Sequence, residues 1–109
     1  MIKYEGKVEI TLHNHTYKNC EIVLSSYHDN RPALVILTNN EVLCKASVNL
    51  PDNEILDGHI FIKNWAENEG ILQELIRLNA IKDTGQTTPC GFVHAHICKL
   101  LGSIHLKGA

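Results

Sequence analysis

The stretch that decides the fold is residues 50–100, which read LPDNEILDGHIFIKNWAENEGILQELIRLNAIKDTGQTTPCGFVHAHICKL. Leu50 to Gly58 is polar and predicts a loop. His59 to Lys63 predicts a strand, in which His59, Phe61 and Lys63 face one way and Ile60 and Ile62 the other. Phe92 to Lys99 alternates in the same way and also predicts a strand, with a helix that begins near Thr88 as the alternative.

Between these strands, the sequence predicts one amphipathic helix from Asn64 to Asn79. Asn64 suits the N-cap, and Glu67 follows at the spacing of a capping box. Asn79 can close the helix in a left-handed conformation. The apolar residues recur at the spacing of one helical face; they are Ile71, Leu72, Leu75, Ile76 and Leu78.

The first half of the chain predicts a series of strands. Period-2 patterns or short apolar runs cover Lys7 to Leu12, Cys20 to Ser26, Ala33 to Thr38 and Glu41 to Val48. Short turns join them, which is typical of an antiparallel meander. The 109 residues fit one domain. The sequence therefore predicts a single α+β domain over residues 1–109, in which an antiparallel sheet of four to six strands carries one amphipathic helix on a face.

Composition excludes several classes of function. The net charge is −2, and no two of the ten Lys and Arg residues are adjacent, so we expect no direct contact with nucleic acid; a basic stripe could arise only by folding. No apolar run is long enough to span a bilayer, and no membrane partner is expected. The four cysteines form no CxxC pair and the chain opens with polar and charged residues, which favours reduced thiols and a cytoplasmic location.

A group of His and Cys residues near the end of the chain is the one candidate for a metal site. Cys90, His94, His96 and Cys98 are all even positions, so a single strand would place them on one face. These are residue types that zinc prefers, but the spacing that bends a chain around zinc is missing. We therefore expect no metal and no cofactor, and keep as the alternative a small metal- or ligand-binding protein that uses this His/Cys face.

No motif supports catalysis. Asp83-Thr84-Gly85 spells the triplet of aspartic proteases, but it follows Lys82 rather than an apolar strand. In this context the triplet is typical of a turn in which Gly85 adopts a positive φ. The sequence assigns no catalytic residue, and we expect that the protein is not an enzyme.

Several short pieces carry a resemblance to a known family; they are Leu50-Pro51, residues 61–65, residues 67–70, residues 83–85 and Gly91-Phe92. In these the chain resembles a family of small bacterial proteins of unknown function that occur on plasmids, integrative elements and prophages. His94 and His96 lie outside the shared pattern. The resemblance implies a non-enzymatic protein from a mobile genetic element, and proteins of that kind include anti-CRISPR inhibitors that bind a CRISPR-associated nuclease.

The partner surface is expected on the connections at the two ends of the helix, because loops on a rigid scaffold carry most binding groups. The candidate contact residues are Trp65, Glu67, Glu69, Asp83 and Thr84. The three acidic residues would imitate phosphate charge in the basic channel of a nuclease. A homodimer is left open.

Overall fold

The computed structural model describes residues 2–4, 6–101 and 106–108. The strands are β1 (Ile2–Tyr4), β2 (Val8–Leu12), β3 (His15–Ser26), β4 (Pro32–Thr38), β5 (Glu41–Lys45), β6 (His59–Ile62), β7 (Ile81–Cys90), β8 (Val93–Leu100) and β9 (Leu106–Gly108). Helix α1 covers Ile71–Arg77, and a single 3-10 turn covers Ala66–Asn68. The predicted α+β class, with antiparallel strands and one amphipathic helix, is confirmed.

Strands β1 to β5, from the first half of the chain, form a six-stranded sheet together with β9. The order is β5-β4-β3-β1-β9, and β2 pairs with the same edge of β3 as β1 does, but at the opposite end of that strand. Strands β2 to β5 pair with their sequence neighbours in antiparallel fashion, as the meander predicts. The β4–β5 turn is Asn39-Asn40, with φ of 51° and 64°. Asn tolerates this left-handed conformation better than most residues, which explains the tight hairpin.

A second sheet has three strands in the order β6-β8-β7. The strand predicted at the end of the chain is present as β8, but β7 covers the segment that was predicted as a turn. Asp83 to Gln86 is a bulge inside β7, where the register shifts and Gly85 has a φ of 84°. The turn chemistry was therefore recognised, but the bulge only interrupts the strand and does not end it.

Ala46 is the corner that joins the two sheets. Its N–H donates to the carbonyl of Leu34 on β4 at 2.8 Å, and its carbonyl accepts from the N–H of Lys63 after β6, also at 2.8 Å. Ser47 then bridges to Ile62 on β6. The chain after β5 thus leaves one sheet and enters the other, so both sheets curve around one interior.

The helix is shorter than predicted. It begins after Gly70, whose φ of 99° reverses the chain between the 3-10 turn and α1. Asn64 is still a cap, since its Oδ1 accepts the N–H groups of Gly70 and Leu72, each at 3.0 Å. The predicted capping box is wrong, because Glu67 bonds to Lys63 instead. Gly70 therefore lies at the start of the helix rather than inside it.

The core lies between the curved sheets and the helix. Strands β2 to β6 contribute alternate residues, β7 and β8 contribute one residue each, and α1 contributes one face. The buried side chains of this core are Ile10, Leu12, Cys20, Ile22, Leu34, Ile36, Cys44, Ala46, Ile60, Ile62, Ile71, Leu72, Leu75, Ala80, Ile81 and Cys98. Ile76, which was predicted on the apolar stripe, is 39% exposed, because it lies at the margin of the buried face.

Candidate functional site

The most prominent candidate site is the end of the β7–β8 hairpin, which we call the arm (residues 84–94). The strands are joined by a two-residue turn, Gly91-Phe92, between Cys90 and Val93. Gly91 has a φ of 65°, whereas Phe92 does not have a positive φ. This combination is that of a type II′ turn, in which glycine fixes the direction of the hairpin. The side chain of Phe92 is fully exposed at the tip.

One face of the arm lies against the loop of residues 50–57. The amide of Asn53 donates to the Thr88 hydroxyl at 2.7 Å. Thr88 is the register partner of Ala95, which is fully buried. The chain leaves the corner at Ala46 beside β6, and Asn53 then contacts β7 on the other side of the sheet. This loop therefore crosses the outer face of the second sheet. The arm is therefore held at Thr88, two residues before β7 ends, whereas the side chain of Phe92 beyond it is exposed.

The opposite face of the arm carries exposed Thr87, Pro89 and His94. Pro89 lies on the outer strand of its sheet. Cys90 and Val93 flank the two-residue turn, so they form a hydrogen-bonded pair, and the next pair, Pro89 with His94, is not hydrogen-bonded. The backbone N–H at this position would point away from β8, so the position suits proline, which has no N–H.

A depression of about 510 Å³ lies next to this loop and is lined by Arg31, Glu54, Ile55 and Leu56. Leu56 is 74% exposed. The guanidinium of Arg31 is already engaged, because it donates to the carbonyl of Leu50 at 2.8 Å and lies 3.8 Å from the carboxylate of Asp29. The depression therefore combines the apolar side chains of Ile55 and Leu56 with the exposed carboxylate of Glu54, whereas Arg31 has partners within the protein.

The segment of Trp65 to Glu69 is held by Lys63. The ammonium of Lys63 donates to Glu67 at 2.6 Å and lies 5.9 Å from the centre of the Trp65 ring. This hydrogen bond lowers the pKa of the Glu67 carboxyl. Glu69 is exposed and has no ion pair among the residues that the structure describes. Of the two acidic candidates here, only Glu69 has its charge free for a partner.

Asp83 and Thr84 stabilise the bulge of β7. The carboxylate of Asp83 accepts the N–H of Gly85 at 3.0 Å and lies 3.9 Å from the ring of His96. The hydroxyl of Thr84 donates to the carbonyl of Ile97 at 2.6 Å. Strand β8 runs between β7 and β6, so it separates these residues from the segment that begins at Trp65. The five predicted contact residues thus form two separate groups.

The four His and Cys residues do not share one face. Cys90 pairs with Val93 across the turn, so it lies on the face of Val93 rather than that of His94. Cys98 is fully buried in the core, and burial raises the pKa of its thiol to about 12. All four thiols of the chain are free. Within the described residues, no group of three or more His, Cys, Asp and Glu side chains could hold a metal ion.

No protein-family model, curated protein or solved structure matches this chain. None of the helices in the described part of the chain is long and apolar enough to cross a membrane. Sequence reasoning did not select Phe92 as a site residue. The signal was present in Pro89-Cys90-Gly91, because proline and glycine beside an alternating segment indicate a hairpin tip.

Proposed function

We propose that this chain is a non-enzymatic protein-binding module and that Phe92 is its main anchor. The observation that carries the proposal is a fully exposed aromatic side chain at the tip of a two-stranded arm. Aromatic residues dominate the binding energy of protein interfaces, because they bury a large area at a small cost in conformational entropy. Gly91 fixes the turn, so the ring is presented in one direction.

The shape of the arm favours a protein partner over a small molecule. Small ligands bind in concave sites that bury most of their surface. The arm is convex, and its tip would enter a cleft of the partner. The depression beside the loop, with exposed Leu56, adds a second contact for a partner that also reaches this loop.

The finer part of the proposal is that the protein comes from a mobile genetic element and inhibits a bacterial immune effector, such as a CRISPR-associated nuclease. The support is the resemblance carried by residues 61–65 and 67–70, together with the exposed charge of Glu69. Glu67 and Asp83 are less suited than Glu69 to imitate phosphate charge, because their carboxylates already bind Lys63 and the N–H of Gly85.

The anchor is tested by binding of purified CRISPR-associated nucleases to the immobilised protein and to two variants. Phe92→Ala should abolish binding of a nuclease that the wild type retains. Val42→Ala is the matched control, because Val42 is also an exposed apolar residue but lies on β5, in the other sheet. Equal binding by wild type and Phe92→Ala would refute Phe92 as the anchor.

The acidic contact needs a separate variant. Glu69→Lys reverses the one acidic candidate whose carboxylate has no ion pair within the described residues, so it should weaken binding without unfolding the protein. Reversal of Glu67 or Asp83 is less informative, because it would also break contacts inside the protein. Unchanged nuclease binding by Glu69→Lys would remove charge mimicry from the proposal. If no nuclease binds the wild type, the immune effector is the wrong class of partner.

A further inference from the structure

Folding brings three basic side chains into one row across the second sheet, although they are far apart in the sequence. Lys99 on β8 is the register partner of His59 on β6 and of Lys82 on β7. Register partners on neighbouring strands point to the same face of the sheet. The three residues, which we call the basic row, therefore lie side by side, and both lysines are exposed.

The basic row is unfavourable for the isolated protein. Like charges directly opposite each other in a sheet destabilise the pair. Neither Lys82 nor Lys99 has an ion pair in the part of the chain that the structure describes. The net charge of the chain is −2, so an excess of lysine does not explain the row. An external anion would remove the repulsion.

We propose that the basic row binds a phosphate group. Arginine is the residue that recognises planar carboxylates, because its guanidinium makes two parallel hydrogen bonds. The row has no arginine; it has two ammonium groups, which act as mobile point charges and suit a phosphate that presents oxygens in several directions. This chemistry favours a phosphate-bearing ligand over an acidic peptide.

The geometry fits one phosphate. Neighbouring strands lie about 4.8 Å apart, so the three side chains span roughly 10 Å at the sheet, within reach of two flexible lysines. The Nδ1 of His59 lies 3.0 Å from the carbonyl of Asp57. A carbonyl can only accept, so Nδ1 carries the hydrogen in this bond. The Nε2 atom has no such partner and is the ring nitrogen left to face a ligand.

This site is separate from the proposed protein-binding anchor. Lys82 lies eight residues before Cys90, at the opposite end of β7 from the turn. Along β8, which has no bulge, Lys99 is six residues from Val93 at the turn, so at about 3.3 Å per residue the basic row is roughly 20 Å from the tip of the arm. The inference thus goes beyond the proposed function, and either can fail without the other.

The test uses two probes on the full chain: pyrophosphate, followed by calorimetry, and a fluorescent single-stranded oligonucleotide, followed by anisotropy. The decisive variant is the double substitution Lys82→Gln and Lys99→Gln. It should weaken binding by at least about tenfold, because charge-assisted hydrogen bonds are lost. The control is Lys7→Gln with Lys18→Gln, which removes the same charge at two other exposed lysines. It should leave binding within about twofold.

The two probes distinguish the source of the phosphate. Binding of pyrophosphate alone indicates a free phosphate compound, whereas binding of the oligonucleotide that weakens steeply with salt indicates a nucleic-acid backbone. The row variant should also melt no lower than the wild type, because it relieves repulsion. The proposal is overturned if neither probe binds, or if the control weakens binding as much as the row variant does.

Discussion

The carboxylate of Glu74 on helix α1 accepts the backbone N–H of Thr11 on β2 at 2.6 Å. Arg77, one turn later, donates to the carbonyl of Glu9 at 2.9 Å and also pairs with Glu74 at 2.9 Å. An edge strand normally exposes such donors and acceptors to solvent. Here two helical side chains take the place of a neighbouring strand, and this contact fixes the helix beside β2.

Removal of this carboxylate should loosen the contact between α1 and β2. We expect Glu74→Ala to lower the free energy of unfolding by about 1 kcal/mol, because the N–H of Thr11 and the guanidinium of Arg77 both lose an acceptor. Urea titration measures the change. Gln73→Ala is the control, because Gln73 is exposed on the same helix and should change stability little. Equal losses in the two variants would show that the contacts of Glu74 with Thr11 and Arg77 are not responsible.

The same pair predicts a dependence of stability on pH. The hydrogen bond from Arg77 lowers the pKa of Glu74, and the N–H of Thr11 lowers it further. A carboxyl whose pKa is lower in the folded state contributes stability above its unfolded pKa of about 4.3. That stability is lost as the pH falls through the lower folded pKa.

Glu74→Gln should therefore lose less stability than the wild type between about pH 5 and pH 3. The loss of stability at low pH should be smaller in this variant but should not vanish, because the pKa values of Asp29 and Glu67 are also lowered. Urea unfolding at a series of pH values measures it. Parallel pH profiles for the two proteins would contradict the assignment.

The buried face of α1 should be sensitive to truncation. Leu72 and Leu75 are both buried in the core. Leu→Ala at either position should cost about 2–5 kcal/mol, because it removes apolar contacts and leaves a cavity. Ile76→Ala is the control and should cost less, since Ile76 is partly exposed. An unchanged melting temperature for Leu75→Ala would show that this helix face is not packed as described.

Ser47 has a structural role at the corner between the sheets. Its Oγ accepts the buried N–H of Leu34 at 3.0 Å and shares a hydrogen bond with the Tyr27 hydroxyl at 2.8 Å. Ser47→Ala should destabilise the protein by about 1–3 kcal/mol, because the N–H of Leu34 is left without a partner. Tyr27→Phe removes only the second bond and should cost less. The reverse order in thermal unfolding would argue against this role.

Zinc should not contribute to folding. We expect no zinc in the purified protein and no effect of a chelator on the melting curve, since Cys98 is buried in the core and Cys90 lies on the other face from His94. Elemental analysis and melting with EDTA measure both points. Stoichiometric zinc, with a shift of several degrees on chelation, would instead support metal binding by the His/Cys residues.

Local patterns in the sequence were sufficient to predict the meander and β8, because the hydrophobic periodicity of these strands agrees with their burial. They were insufficient for β7, since Asp83 to Gly85 has the chemistry of a turn and only pairing with β8 extends the strand through it. The helix start was misplaced because Asn64 caps residues six and eight positions later. The basic row was invisible, because it depends on the register of three strands.

The outer edge of β7 has a consequence for behaviour at high concentration. An open edge strand can act as a template on which further chains add and propagate as aggregates. Pro89 supplies no N–H to an incoming strand, and the bulge at residues 83–86 breaks the regular spacing at the other end. A growing ladder would find few consecutive positions to bond. The arm can therefore expose Phe92 on an edge hairpin that is a poor template for fibril growth.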